Sequence, residues 1–228
     1  VAVAFITWLW GTKYSAEDIA KLAQGVVRNY PAGFRFVAFT DQELALPDWV
    51  ERKPIPDADL IGRGCFCRLR MFDPAWQRAN GFDDRIVSLD LDVVPVARMD
   101  RLFEANKDFL ILRGVNAVNP NPFNCSVMML RAGAHPEVWS DFSLDKAKQI
   151  PFHEFPDDQG WIWHKLPNAD TWRAGGESGI YGFQKPGWPT AIGRGLPSDA
   201  RIVAFIGWRK PEMFSDFPWV VKHWRVSQ

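Results

Sequence analysis

The apolar positions mark out alternating strands and helices, beginning with Val1–Trp10, a run of strand character. Ser15 then stands as an N-cap, with Asp18 three residues on in capping-box spacing. Ile19, Leu22, Ala23, Val26, Val27 and Tyr30 follow at helical intervals and predict one buried face. Pro31-Ala32-Gly33 breaks that helix, and Phe34–Thr40 reads as a second strand ending at Asp41. Strand, helix, strand is the right-handed crossover of a parallel sheet. Residues 42–62 are Pro-rich and irregular, and 65–78 predict a helix interrupted at Asp73-Pro74.

Ile86, Val87 and Leu89 form the next apolar run, a buried central strand. A short helix near 100–105, a strand at Phe109–Leu112 and an Asn/Pro loop over 115–123 follow. Further elements are a strand at Val127–Leu130, a helix over 135–149 with Pro136 in its first turn, and a short helix over 157–165. Beyond Asn168 the pattern dissolves into Gly, Pro and Trp, apart from a last strand at Ile202–Ile206. With no repeat and no linker, the expectation is one α/β domain with a mainly parallel sheet flanked by helices.

A length of 228 residues suits one such domain and is short for two. With 27 basic and 27 acidic residues, no bulk charge draws the chain to nucleic acid or to an anionic membrane. Val1–Trp10 is about half a membrane span and has neither a basic leader nor a cleavage site, so it reads as a first strand rather than a signal peptide. Cys65, Cys67 and Cys125 leave one thiol over in any disulfide scheme, and Cys65-Phe66-Cys67 has no zinc-ligand partner pair. Reduced structural thiols in a cytoplasmic protein are expected. Seven of the twelve Trp lie after residue 150, which makes some of them candidate exposed platforms.

The chemistry concentrates where the central strand ends, at Ser88-Leu89-Asp90-Leu91-Asp92-Val93-Val94. In open α/β sheets ligands bind beyond the carboxyl ends of the strands. Two carboxylates held there repel each other unless a positive charge sits between them. A divalent cation carrying a diphosphate meets that need, since hard oxygen ligands suit Mg²⁺ or Mn²⁺. The competing reading is a strand-end turn with two solvated acids.

Seven segments set that motif in context: Thr7-Trp8-Leu9-Trp10-Gly11-Thr12-Lys13-Tyr14-Ser15, Phe36–Asp41, Arg68–Phe72, Ser88–Val94, Phe123–Leu130, Pro156–Gln159 and Ile202–Pro211. In this order they resemble nucleotide-sugar glycosyltransferases of the GT-A fold. The nearest look is to family 8, the glycogenin and lipopolysaccharide-galactosyltransferase group, and to related bacterial capsule-type transferases. The resemblance spans nearly the whole chain. It implies a single Rossmann-like GT-A domain over 1–228, with a nucleotide-binding part to about residue 95 and an acceptor-side part from about 96. It also implies a UDP-sugar donor, a Mn²⁺ or Mg²⁺ ion and a saccharide or other hydroxyl acceptor.

By that resemblance Thr7, Trp8, Gly11 and Tyr14 hold the nucleotide base and ribose, and Asp41 accepts hydrogen bonds from the uracil ring. Arg68 reaches the diphosphate or donor sugar, where a guanidinium gives bidentate contact. Asp90 and Asp92 match the metal-binding acids. Lys210 resembles the lysine that neutralises the leaving diphosphate. Asn124, Asp158 and Gln159 resemble the residues under the donor sugar, while Asp157 or Asp158 serves as general base in an inverting enzyme. For the Asp157-Asp158 pair, helix capping is the plainer role. Trp161, Trp163, Trp188 and Trp208 are candidate acceptor platforms.

One expected feature is missing. The last strand of that family carries a His as third metal ligand, where this chain has Ala204 or Ile206, and none of His135, His153, His164 and His223 replaces it by position. A sugar-binding relative that has lost catalysis is therefore the main alternative. A haloacid-dehalogenase-type phosphatase also carries Asp-x-Asp after an apolar strand, but there the motif sits on the first strand, whereas about ninety residues precede it here.

Overall fold

The alternating side chains of β1 (Val3–Leu9) divide the interior in two. Val3, Phe5 and Leu9 join one apolar cluster, and Ala4, Ile6 and Trp8 join the other, because successive side chains leave opposite faces of a pleated strand. The structure, a computed structural model, describes residues 2–115, 121–150, 157–173 and 175–226. Val1, residues 116–120 of the expected Asn/Pro loop, His153 and Pro156 lie outside the described residues.

The central sheet runs β3 (Val50–Pro54), β2 (Phe34–Thr40), β1, β4 (Arg85–Leu89), β7 (Phe123–Arg131), β6 (Phe109–Arg113) and β8 (Asp170–Trp172). Only β7 runs against the rest, paired antiparallel with both β4 and β6. A smaller sheet places β10 (Ile202–Ala204) between β5 (Val93–Pro95) and β9 (Ile180–Gly182). This is the expected mixed α/β class with a mainly parallel sheet. β2 lies on one side of β1 and β4 on the other, so the order reverses at β1, which is where such sheets open a crevice.

One face is covered by α1 (Ala16–Asn29), α3 (Asp100–Phe103), the small sheet and α7 (Pro218–His223). Ile19, Leu22, Ala23 and Val26 of α1 face the core as predicted, but Val27 is exposed. Asp18 accepts hydrogen bonds from the backbone N–H of Ser15 at 2.8 Å and from its hydroxyl at 3.0 Å, which fixes the entry to α1. The other face carries 3₁₀ turns over Phe66–Phe72, α2 (Pro74–Ala79), α4 (Glu137–Ser140) and α6 (Asp158–Lys165).

Several elements differ from expectation for local reasons. The 65–78 helix is a 3₁₀ stretch followed by α2, divided at Asp73, which accepts from the Ala75 N–H at 2.9 Å. Phe66, Leu69 and Phe72 are buried at three-residue spacing, the repeat of a 3₁₀ helix. The 135–149 helix is two, α4 and α5 (Leu144–Lys148), because Ser143 caps α5 and Phe142 turns inward against Phe66 and Trp161. The 42–62 segment contains β3, and the Gly/Pro/Trp tail contains β8, β9 and α7.

Candidate functional site

Backbone register builds a cleft at the β1/β4 edge. The ladder between the two strands ends at the Ile6–Ser88 pair, and the buried Thr7 hydroxyl donates to the Leu89 carbonyl at 2.8 Å. Beyond that bond the chains part, β1 toward Trp10–Tyr14 and β4 toward Asp90–Asp92. On the far side, the pairing of β6 with β7 jumps from Ile111–Met128 to Leu112–Asn124. The bulge presents Asn124, Cys125 and Ser126 to the cleft, a usual device beside binding sites. Cys65 enters the wall in the left-handed conformation at φ 61°, an uncommon state for a side-chain-bearing residue. The resulting cleft measures about 420 Å³.

Charge is arranged around one buried guanidinium. Arg68, on the 3₁₀ stretch, pairs with Asp90 through Nη1 and with Asp158 through Nη2, the latter at 2.7 Å. Asp158 is 1% exposed, and burial pushes its carboxyl up to about 6 against the pull of Arg68. Asp92 is 6% exposed. Burial, then the Asp90 charge, pushes its carboxyl up to about 7, while the Tyr14 hydrogen bond and the Lys13 charge oppose the rise. The Tyr14 hydroxyl donates to Asp92 Oδ2 at 2.5 Å, and burial together with Asp92 holds that phenol well above its usual range.

Lys13 Nζ and Lys210 Nζ each lie 4.8 Å from the centre of the Tyr14 ring. Lys13 donates to the Gly207 carbonyl at 3.3 Å, and Lys210 donates to the Lys13 carbonyl. Asp157 caps α6 by accepting from the Gly160 N–H at 2.8 Å, and it also accepts from the Gln159 amide at 2.7 Å. Gln159 is thereby held at the cleft wall.

Solved structures share this arrangement of strands. The galactosyltransferase LgtC, in complex with donor and acceptor sugar analogs, superposes with a TM-score of 0.61 at 12% identity over 99% of this chain and 98% of that one. An active-site mutant of LgtC gives the same values. The glycosyltransferase GlyE of Streptococcus pneumoniae gives 0.63 at 15% identity, covering 96% of this chain and 62% of its own. The chain has the GT-A fold. The sequence itself matches no protein-family model and no curated protein.

In that GT-A frame the cleft gathers most of the residues picked out in the sequence. Trp8, Tyr14, Arg68, Asp90, Asp92, Asn124, Asp158 and Gln159 all line it, and Lys210 reaches its rim over Tyr14. Three expected nucleotide contacts fall elsewhere. Thr7 is fully buried in its bond to Leu89. Gly11 stands outside the cleft lining at φ 62°, its carbonyl taken by the Gln42 amide. Asp41 is exposed and lines a separate depression with Gln42, Glu43 and Arg52. Trp8 is 6% exposed and stacks on Phe39 and Trp76, so its packing role is established.

Of the candidate platforms, Trp161 is a core residue whose indole N–H donates to the Val138 carbonyl at 2.7 Å, and Trp188 packs on Tyr181 and Phe183. Trp208 is 73% exposed beside Gly207. Trp10 and Lys13 also line the cleft. Their signal was position: both sit in the loop leaving the first strand. All three cysteines are free, and burial pushes the Cys65 and Cys67 thiols up to about 12, which disfavours the nucleophilic thiolate. Among the described residues no helix is long and apolar enough to cross a membrane.

Proposed function

We propose that the chain is a glycosyltransferase that moves a sugar from a UDP-sugar to a saccharide or other hydroxyl acceptor. The observation that carries this reading is the meeting, in one cleft of a GT-A fold, of Asp90 and Asp92 with Arg68 and Asp158. An Asp-x-Asp at a solvated turn would leave its acids free. Here Asp92 is buried and repelled by Asp90.

The donor set fits a divalent cation in part. Asp90 and Asp92 would hold it, while Ala204 is fully buried in β10 and supplies no ligand. Among the described residues no cluster of three His, Cys, Asp or Glu side chains surrounds a common point. The remaining ligands would come from diphosphate oxygens and water, which Mg²⁺ and Mn²⁺ accept. When bound, such an ion offsets negative charge on the leaving diphosphate.

The chain's own groups account for the rest. Lys210 adds positive charge at the leaving-group end. Arg68 fixes the buried Asp158 carboxylate and orders it toward the cleft. Asp157 orients the Gln159 amide, and Asn124, Asp158 and Gln159 form the wall against which the anomeric carbon lies. Trp208 offers an exposed aromatic surface for an acceptor sugar. The missing third ligand at Ala204 favours a second reading, a sugar-binding protein of this fold without transfer activity.

Calorimetric titration of UDP, with Mn²⁺ and with EDTA, tests the assignment. Tighter binding with Mn²⁺ that is lost in Asp92→Ala, followed by transfer in a donor-sugar screen, is the expected result. Failure of UDP to bind in either condition would overturn the donor assignment. Binding without transfer from any donor would select the second reading.

A further inference from the structure

We infer that Lys13 is a second diphosphate-binding cation of this cleft, acting with Lys210 beside the Tyr14 ring; this rests on the nucleotide-sugar reading above. Of the cationic side chains at the site, Arg68 is neutralised by Asp90 and Asp158. Lys210 has the Glu212 carboxylate 3.6 Å away. Lys13 lines the cleft, and among the described residues its ammonium forms no ion pair; its hydrogen bond is to a neutral carbonyl, that of Gly207, at 3.3 Å.

Two ammonium groups held 4.8 Å from one aromatic ring repel each other. A polyanion bound by both offsets that repulsion and replaces bonds to neutral carbonyls by ion pairs in which both partners are charged. The bonds are also reciprocal. Lys13 reaches the loop that carries Lys210, and Lys210 reaches the loop that carries Lys13. A diphosphate entering beside Asp90 and Asp92 would meet both lysines without movement of the sheet. Because Ala204 offers no metal ligand, the two lysines carry a larger share of the charge compensation, and diphosphate affinity persists without a cation.

The test uses the full chain in EDTA, with inorganic pyrophosphate, UDP and uridine as calorimetric probes. Lys13→Gln keeps a hydrogen-bond donor for the Gly207 carbonyl and removes the charge, and Lys13→Arg keeps both. The expected result is binding of pyrophosphate and UDP by the wild-type protein in EDTA, at least tenfold weaker in Lys13→Gln and restored within about threefold in Lys13→Arg. Uridine affinity should be the same in all three proteins. Wild-type affinity for pyrophosphate and UDP in Lys13→Gln would overturn the assignment and leave the nucleotide-sugar reading standing. Binding of pyrophosphate alone, still lost in Lys13→Gln, would support the lysine pair while rejecting UDP. Binding of neither probe by the wild-type protein, with or without Mn²⁺, would overturn both readings.

Discussion

At the scale of single residues, the site holds two buried carboxylates, Asp92 and Asp158, in an environment that disfavours their charge. Asp92 shows the cost most directly. Its pKa in the folded chain is about 7 against an ordinary value of 3.8, with burial the leading cause and Asp90 the next. The folded state therefore holds this proton more tightly than the unfolded chain does. The associated stability is fully present below pH 4 and is lost as pH rises toward 7 and beyond. By linkage the difference amounts to at most about 4 kcal/mol. Asp92→Asn removes the ionisation while keeping a polar side chain beside Tyr14. In EDTA, urea denaturation should find this variant more stable than wild type at pH 7.5, with the gap narrowing steadily down to pH 4.5. A constant difference across that range would remove burial of the Asp92 charge as its cause.

At the scale of elements, close packing decides which helices can sit where. A Cβ added at Gly25 on α1 would lie 2.9 Å from Cδ of Pro95, the last residue of β5. In an open helix Gly→Ala gains about 1 kcal/mol from propensity. Here the proline ring is rigid and the strand behind it leads back to Asp92, so Gly25→Ala should instead destabilise by about 1–3 kcal/mol. A chemical denaturation midpoint above that of the wild type would show that α1 can move off β5 freely.

The same contrast explains what was legible in the sequence. β1, α1, β2, β4 and α6 were readable because period and caps agree: Pro31-Ala32-Gly33 ends α1, and Asp157 both looks like a cap and is one. β5, β8 and β9 are three residues each, too short to show a period. They exist because neighbours supply their hydrogen bonds. Within the site, Asp90, Asp92, Arg68 and Asp158 carried a motif. Trp10 and Lys13 lay inside the Thr7–Ser15 segment of the resemblance with no role assigned to them, and the parting of β1 from β4 brings them to the cleft. Trp161 misled for the converse reason, since an aromatic in a Trp-rich stretch looks available until its indole bonds to Val138.

At the scale of the whole molecule, one apolar cluster runs from the central sheet through α1 into the small sheet, joining Phe5, Phe103, Val94, Val203 and Phe205. The Asp90–Asp92 segment crosses between the sheets, and the Asp92 carbonyl accepts from the Phe205 N–H at 3.1 Å. A ligand held at this segment therefore braces both sheets together, and thermal unfolding should be a single transition. Ligand that binds only the folded chain adds about 2.7 kcal/mol at a hundredfold excess over Kd. For a domain of this size that raises Tm by about 5–10 °C. Scanning calorimetry with UDP and Mn²⁺ at that excess should show the whole transition moving by this amount in the wild-type protein. A transition that splits, with only its upper part shifted by nucleotide, would mean that the small sheet unfolds on its own and that the cleft loses one wall before the core melts.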